Sequence, residues 1–408
     1  MTASNSETSG LLQHVASQQD DMLRTLCRWA DVNSGTRNLS GIAEVSKMVS
    51  ESFAPLADET LAVSVKPQTL VDSHGNLSDC ELGDTLVFRK RPDADRRVVL
   101  SIHLDTVYPK DSAFQKTRID GERLLGPGVA DAKGGLVVML HALAAYERFA
   151  ESDPGSALGW TVIVGADEEV GSPGSSAVFD EYGPGASFGI IYEPCLPSGN
   201  LVSERGGSGN FAIVVRGKSA HAGREFDRGR NAVVAAAEIA RQLHGLNGRW
   251  PRTTLNVARI EGGGPTNVVP ELAIIRFNIR YAEPGQEDVI REAVESLLEP
   301  KVDGIRFELH GQFSAPPKRM SEPLDKLQSD IARCGQEIGL EFDWETTGGV
   351  CDGNRLAALG VPNVDTMGVQ GGNIHSHDEY MLIPSLVTRT QLSLLTLIYR
   401  SSDFSENA

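Results

Sequence analysis

A chain of 408 residues is long enough for two domains with a substantial core in each. Its 40% apolar and 23% charged residues are ordinary for a water-soluble globular protein, and no apolar run reaches the length of a membrane span. The formal net charge of -17 argues against nucleic acid or an anionic membrane as the principal partner.

The first eight residues carry neither the basic nor the apolar stretch of a secretion signal and read as a frayed tail. Cys27, Cys80, Cys195, Cys334 and Cys351 are scattered without CxxC spacing, which suits reduced thiols in a cytoplasm. Residues 11–53 read as helical, interrupted at Asn33-Ser34-Gly35-Thr36 by a polar cluster suited to a turn facing a cleft. Asp72-Ser73-His74-Gly75-Asn76 is a tight-turn signal, with His74 on the surface.

Residues 97–102 form a short apolar run, expected as a buried strand, that opens into His103-Leu104-Asp105. Next comes Gly126-Pro127-Gly128-Val129-Ala130-Asp131-Ala132-Lys133-Gly134-Gly135, followed by helical apolar spacing to about residue 150. Gly134 and Gly135 are expected to let the backbone approach a ligand, at a helix start that favours anionic groups. The full GxGxxG is missing, with Asp131 where its last glycine belongs, so a dinucleotide site is excluded. Two further buried strands, residues 160–165 and 188–192, run into Asp167-Glu168-Glu169 and Glu193. Three strand ends thus deliver acids or a histidine to one edge, where open α/β sheets bind ligands.

The character changes near residue 205. A strand at 211–215, a helix at 231–246, strands at 253–260 and 272–281, a helix at 286–298 and a strand at 305–309 follow. That β-α-β-β-α-β order predicts a small α+β, ferredoxin-like insertion with two helices on one face of its sheet. Afterwards a helix at 324–338, strands at 342–344 and 361–366 and a closing helix at 384–400 return to α/β character. The domains are therefore 1–204, 205–320 and 321–408, the first and last being two parts of one unit built on a mixed, mainly parallel sheet flanked by helices.

A pair of zinc-like divalent ions needs one bridging carboxylate, a histidine or carboxylate on each ion, and an open position for water. His103, Asp131, Glu169 and Glu193 meet that need if one more histidine joins them, and His375-Ser376-His377-Asp378-Glu379-Tyr380 contains two. Glu168-Glu169 alone would read as a solvated pair; the strand before it and the Gly171-Ser172-Pro173-Gly174 turn after it favour a site. His14, His141, His244 and His310 read as structural or surface residues, and Asp111 and Asp120 as solvent-exposed.

These segments together resemble the co-catalytic zinc peptidases and deacylases typified by carboxypeptidase G, acetylornithine deacetylase, succinyl-diaminopimelate desuccinylase and aminoacylase. The resemblance rests on H-x-D (103–105), G-x-x-D-x-K-G-G (128–135), D-E-E-x-G-S-x-G-S (167–175) and E-P (193–194). It continues through G-x-x-x-H-A-G (217–223), N-x-x-P (267–270), G-G-x-x-D (348–352) and H-x-x-x-E (375–379), in that order. It implies that His103 and Glu193 hold one ion and Glu169 and His375 the other, with Asp131 between them. The ions would be zinc, with cobalt or manganese as alternatives. Glu168 would be the general base and Asp105 would orient His103, while a cis peptide is expected at Asp131-Ala132. The insertion would be a lid and dimerisation domain whose His221 reaches the partner subunit's site to stabilise the oxyanion. Asn267, Arg280 and Gly349 fall at substrate-contact positions.

Glutamate at 193 accompanies carboxypeptidases and deacylases in that family, which implies a small N-acyl amino acid or dipeptide with a free carboxylate. Residues 309–313 lack the arginine that carboxypeptidase G places there; Arg280 remains, and Arg319 or Arg355 could substitute. An aromatic N-acyl amino acid hydrolase with the same site is the alternative, and a catalytically inactive binding dimer a minor one.

Overall fold

A computed structural model describes residues 2–152, 154–155, 157–299 and 303–401, with side chains from residue 7 onward. The central sheet has six strands in the order Glu59–Val63, Thr85–Lys90, Gly159–Gly165, Arg97–His103, Phe188–Ile191 and Asn363–Val364. The last four run parallel to one another, and the first two are antiparallel additions at one edge. Parallel strands are covered on both faces, which explains their nearly unbroken apolar sequences. Val98, Leu100 and Ile102 face one layer of helices, while Val99, Ile163 and Ile191 face Val178, Phe179 and Leu356 on the other side. Each such fully buried side chain contributes roughly 1.5–3 kcal/mol.

The larger helical layer includes Lys133–Ser152, which packs along the closing helix Ile383–Ser401. The helical N-terminal region is Thr2–Ser17, Gln19–Ala30 and Leu39–Phe53, broken where the polar cluster predicted a turn. Helix extends back to Thr2, so the expected frayed tail is helical; once Leu11 and Val15 are anchored, each added residue gains a hydrogen bond without a new nucleation cost. Among the described residues no helix is long and apolar enough to cross a membrane.

The inserted sheet comprises Gly207–Arg216, Thr254–Gly262, Leu272–Tyr281 and Arg306–Ala315, all antiparallel, in the spatial order second, third, first, fourth. Helices Ala232–His244 and Gln286–Ser296 share one core with Phe211, Ile213, Ile275 and Phe277, on one face of the sheet as predicted. Asn231 caps the first of them by accepting the Val234 N–H at 3.1 Å. The opposite face packs on the hairpin Gln68–Val71 and Leu77–Cys80, through Val71 against Ala212, Val214 and Ile274. That hairpin belongs to the first segment in sequence but lies with the insertion in space.

The chain enters and leaves the insertion at one place. Arg205 and Lys318 exchange backbone hydrogen bonds of 3.0 and 3.1 Å. Both side chains reach the fully buried Asp365, Arg205 Nε at 2.9 Å and Lys318 through its ammonium.

Two predicted strands are displaced. The one expected at 342–344 is Trp344–Thr347, because Phe342 packs against the core while backbone pairing with Leu201–Arg205 begins only at Trp344. The one expected at 361–366 pairs only through Asn363–Val364. A four-stranded antiparallel sheet that the sequence did not announce joins Gly371–Gly372, Tyr380–Leu382, Arg123–Leu125 and Arg118–Asp120. It lays the segment containing His375 and Glu379 against the loop that carries Asp131.

Candidate metal centre

Three parallel strands end at the same edge. His103 terminates Arg97–His103, Glu168 and Glu169 form a 3-10 turn just after Gly159–Gly165, and Glu193 follows Phe188–Ile191. Asp131 sits between them at the start of the Lys133–Ser152 helix, behind a cis Asp131-Ala132 peptide. Gly134 and Gly135 do not face a ligand. A Cβ on Gly135 would lie 1.9 Å from the Tyr192 carbonyl oxygen and one on Gly134 2.3 Å from that of Val129. Gly135 is needed to bring the helix against the strand that delivers Glu193, and Gly134 to fold the helix start onto the Val129 carbonyl and Val369.

The two oxygens of Asp131 face two different imidazoles. Oδ1 is 3.2 Å from His103 Nε2 and Oδ2 is 3.2 Å from His375 Nε2. On the His103 side, Glu193 Oε1 is 3.8 Å and Glu168 Oε2 4.0 Å from Nε2. On the other side, Glu169 Oε2 lies 3.3 Å from His375 Nε2. Ligand atoms of His103, Asp131 and Glu169 all fall within 4.8 Å of one another, close enough to share a cation. His375 has a left-handed backbone, φ 62°, an uncommon conformation for a residue with a Cβ and one that sites of function often hold.

Asp105 organises this edge. Its backbone carbonyl lies 3.0 Å from His103 Nδ1 and its carboxylate 3.3 Å away, so Nδ1 keeps a proton and Nε2 is the nitrogen turned toward the carboxylate cluster. The same carboxylate accepts the Thr36 hydroxyl at 2.7 Å and the N–H groups of Glu168 and Glu169 at 3.2 and 3.3 Å. Asp167 closes the turn from below by accepting Gly174 N–H at 2.6 Å and Ser175 N–H at 3.1 Å.

The electrostatics call for cations. Burial, with Glu193 beside it, raises the Glu168 carboxyl well above its usual range. Burial and Asp131 likewise push Glu193 up to about 8, and burial raises Glu169. Hydrogen bonds to Asp131 and Glu169 lift His375 to about 10. Glu169 Oε1 is buried without a hydrogen-bond partner. Clustered, dehydrated carboxylates with an orphaned oxygen, each side furnished with an imidazole, fit two divalent ions bound by nitrogen and oxygen.

Beside the cluster lies a cavity of about 520 Å³ lined by Arg205, Ser208, Asn210, Arg280, Thr347 and Gly349, among others. Of the substrate-contact candidates, Arg280 and Gly349 are therefore at the cavity. Arg280 Nε donates to Asn278 at 3.0 Å, while its Nη1 is buried and unpartnered. Arg319 is engaged with Glu204 and Glu283, Arg355 with Asp180, and neither lines the cavity. The second cavity cation is Arg205, which sequence reasoning passed over because Ser203-Glu204-Arg205 looked only like a domain boundary. His221 and Asn267 do not line the cavity. They stand on an exposed ribbon of the insertion, where Ala222 N–H donates to the Asn267 carbonyl at 2.9 Å.

Glu379 is the other omission. It is buried and accepts the N–H groups of Gly128, Ala130 and Asp131 at 3.2, 2.9 and 3.1 Å, and the Tyr108 hydroxyl at 2.7 Å. Its spacing from His375 was the only sequence signal. His377 takes no place in the cluster and stacks on Phe114. Asp111 and Asp120 are exposed, as expected.

The family profile described as Peptidase family M20/M25/M40 matches residues 99–398. Carboxypeptidase G2 of Pseudomonas sp. (strain RS-16) is 26% identical over 393 residues, covering 94% of this chain and 90% of that one. A succinyl-diaminopimelate desuccinylase of Verminephrobacter eiseniae (strain EF01-2) is 28% identical over 325 residues, covering 75% and 78%. In structure, an M20 family metallo-carboxypeptidase of Sulfolobus solfataricus superposes with a TM-score of 0.74 at 16% identity, covering 93% of this chain and 99% of that one.

Proposed function

The chain belongs to peptidase family M20/M25/M40, a family of metal-dependent hydrolases, and from that premise we propose that it cleaves the amide bond next to a free amino-acid carboxylate. The substrate is an N-acyl amino acid or dipeptide. The observation that carries the reading is Asp131, whose two oxygens each face one imidazole with a glutamate beside it.

His103 and Glu193 would hold one divalent ion and Glu169 and His375 the other, with Asp131 bridging; zinc suits this set, and cobalt or manganese could replace it. Bound there, the ions would lower the pKa of water and polarise the scissile carbonyl. Glu168 is the general base: it takes a proton from the attacking water, whose oxygen adds to the carbonyl carbon. It then gives that proton to the leaving nitrogen as the C–N bond breaks. Asp105 keeps His103 in the binding tautomer and fixes the turn that bears Glu168. Arg280, helped by Arg205, receives the substrate carboxylate beside Gly349.

Residues 205–320 act as lid and dimerisation domain on a catalytic unit made of 1–204 and 321–408. His221 and Asn267, exposed and away from their own cavity, complete the site of the partner subunit in a homodimer, where His221 stabilises the oxyanion. The enzyme works in the cytoplasm. Among the described residues no Phe, Tyr or Trp lines the cavity that holds Arg280, which favours this reading over a hydrolase selecting an aromatic amino acid on that side. Every ligand candidate and the base converge on one edge, which disfavours an inactive binding dimer.

The test is a panel of N-acyl amino acids and dipeptides, assayed after dialysis against chelator and again with zinc, cobalt or manganese restored. Turnover should vanish and return. Turnover indifferent to the chelator contradicts the proposal.

A further inference from the structure

Glu169 and Val170 line two cavities, not one. The second is a groove of about 620 Å³ running from the carboxylate cluster between residues 35–40 and 106–110. Its walls are fastened to each other. Thr36 N–H donates to the Thr106 carbonyl at 3.2 Å, and Thr106 N–H to that of Ser34 at 3.0 Å. The Asn33 amide donates to the carbonyls of Tyr108 and Pro109, both at 3.1 Å. A Cβ on Gly35 would lie 2.2 Å from the Tyr108 oxygen, so glycine alone permits this approach. The Thr106 hydroxyl is buried without a partner, and Thr36 is bonded to the same Asp105 that orients His103. Such a groove is rigid and aligned with the reacting centre before anything binds.

Its charge is out of character for so acidic a chain. Arg37 and Lys110 both line it and are exposed, and neither has an acidic partner among the described residues; Arg37 bonds only the neutral Gln68. Among the described residues lining the groove the one acid is Glu169, at its inner end. The two cavities meet at Glu169 and Val170. Arg280 and Arg205 supply positive charge on one side, Arg37 and Lys110 on the other.

We propose that the groove takes the acyl half of the substrate, and that Arg37 and Lys110 select acyl groups bearing a second carboxylate. The proposal rests on the amide-hydrolysing reading above. A carboxylate reaching an arginine can form paired charge-assisted hydrogen bonds, and an exposed site keeps the gain moderate. A neutral acetyl group offers neither cation a charge to pair with.

The experiment compares N-succinyl and N-glutaryl amino acids with the N-acetyl form of the same amino acid, using the zinc-loaded full chain. Wild type should favour the dicarboxylic acyl groups by about ten-fold in kcat/KM, mostly through KM, a size in keeping with one charge-assisted contact. In Arg37→Ala/Lys110→Ala that ratio should fall to about one, and Arg37→Lys/Lys110→Arg should restore part of it. Calorimetry with glutarate gives a readout independent of turnover: the Ala variant should bind about ten-fold more weakly. Equal preference in wild type, or parallel loss on both acyl classes in the variant, overturns the inference while leaving the hydrolytic reading intact. Glutarate binding that depends on Arg37 and Lys110 in a protein cleaving no amide overturns the hydrolytic reading and leaves the groove's ligand class standing.

Discussion

The carboxylate of Glu379 accepts the backbone N–H of Asp131 at 3.1 Å, so the candidate bridging residue is held through its own main chain by an acid 248 positions later. The same carboxylate takes two more N–H groups of the 128–131 loop. Glu379→Gln presents an amide N–H₂ to those donors and should cost about 1–3 kcal/mol of stability. It should also weaken divalent-ion binding by roughly 10–100-fold, as outer partners of metal ligands do. Denaturant titration and zinc titration of the variant check the two effects separately.

Glu168 lies 4.0 Å from His103 Nε2, farther than Glu193 at 3.8 Å, and in the proposed scheme holds neither ion. Glu168→Ala should therefore retain two ions per chain by elemental analysis and lose on the order of 10²–10⁴ in kcat. Near-normal turnover would remove it as the base.

Ion binding should be strongly pH-dependent. His375, lifted to about 10, and Glu193, lifted to about 8, both keep their protons at neutral pH without ions. Cations must displace those protons, so affinity rises most steeply up to about pH 8, where Glu193 ionises unaided, and more gently up to about 10, where His375 does. His103 is also held protonated by its hydrogen bonds to Asp105 and Asp131, so near pH 7 the logarithm of affinity should climb with a slope of about two or more per pH unit. Calorimetry in buffers of different ionisation enthalpy counts the protons released; a count of zero would contradict the charge state inferred for the site.

Asp365 is paired with two buried cations, Arg205 and Lys318. Asp365→Asn keeps the shape but leaves both charges stranded and should destabilise the fold by about 3–5 kcal/mol. Urea unfolding measures the loss; a change under about 1 kcal/mol would show that water already compensates them.

If His221 serves the neighbouring subunit, verified mixed dimers of Glu168→Ala and His221→Ala should recover activity that neither variant has alone. One site in such a dimer would then carry both intact residues. No recovery would confine His221 to a structural role.

How far the sequence leads depends on how locally each feature is encoded. Residues 97–103, 159–165 and 188–191 are buried on both faces, so their unbroken apolar runs place the strands and, with them, His103, Glu169 and Glu193. The ferredoxin-like order was legible because alternating helices and strands punctuate the insertion. Tyr380–Leu382 and Arg123–Leu125 were illegible: three-residue strands have no periodicity, and their partners lie some 250 positions apart. Arg205 was missed for a related reason, since its neighbours Lys318 and Asp365 are distant in sequence. Gly134 and Gly135 were noticed for the wrong reason, because a glycine announces a close approach without naming the approaching group.

The pairing of Arg205 with Lys318 has an evolutionary reading. Because the way in and the way out adjoin, residues between them could be excised and the chain rejoined with little change to the central sheet. The hairpin that ends in Cys80 would then lose its cover at Val71, so it and the excised piece form one exchangeable cassette, to be grafted or replaced together.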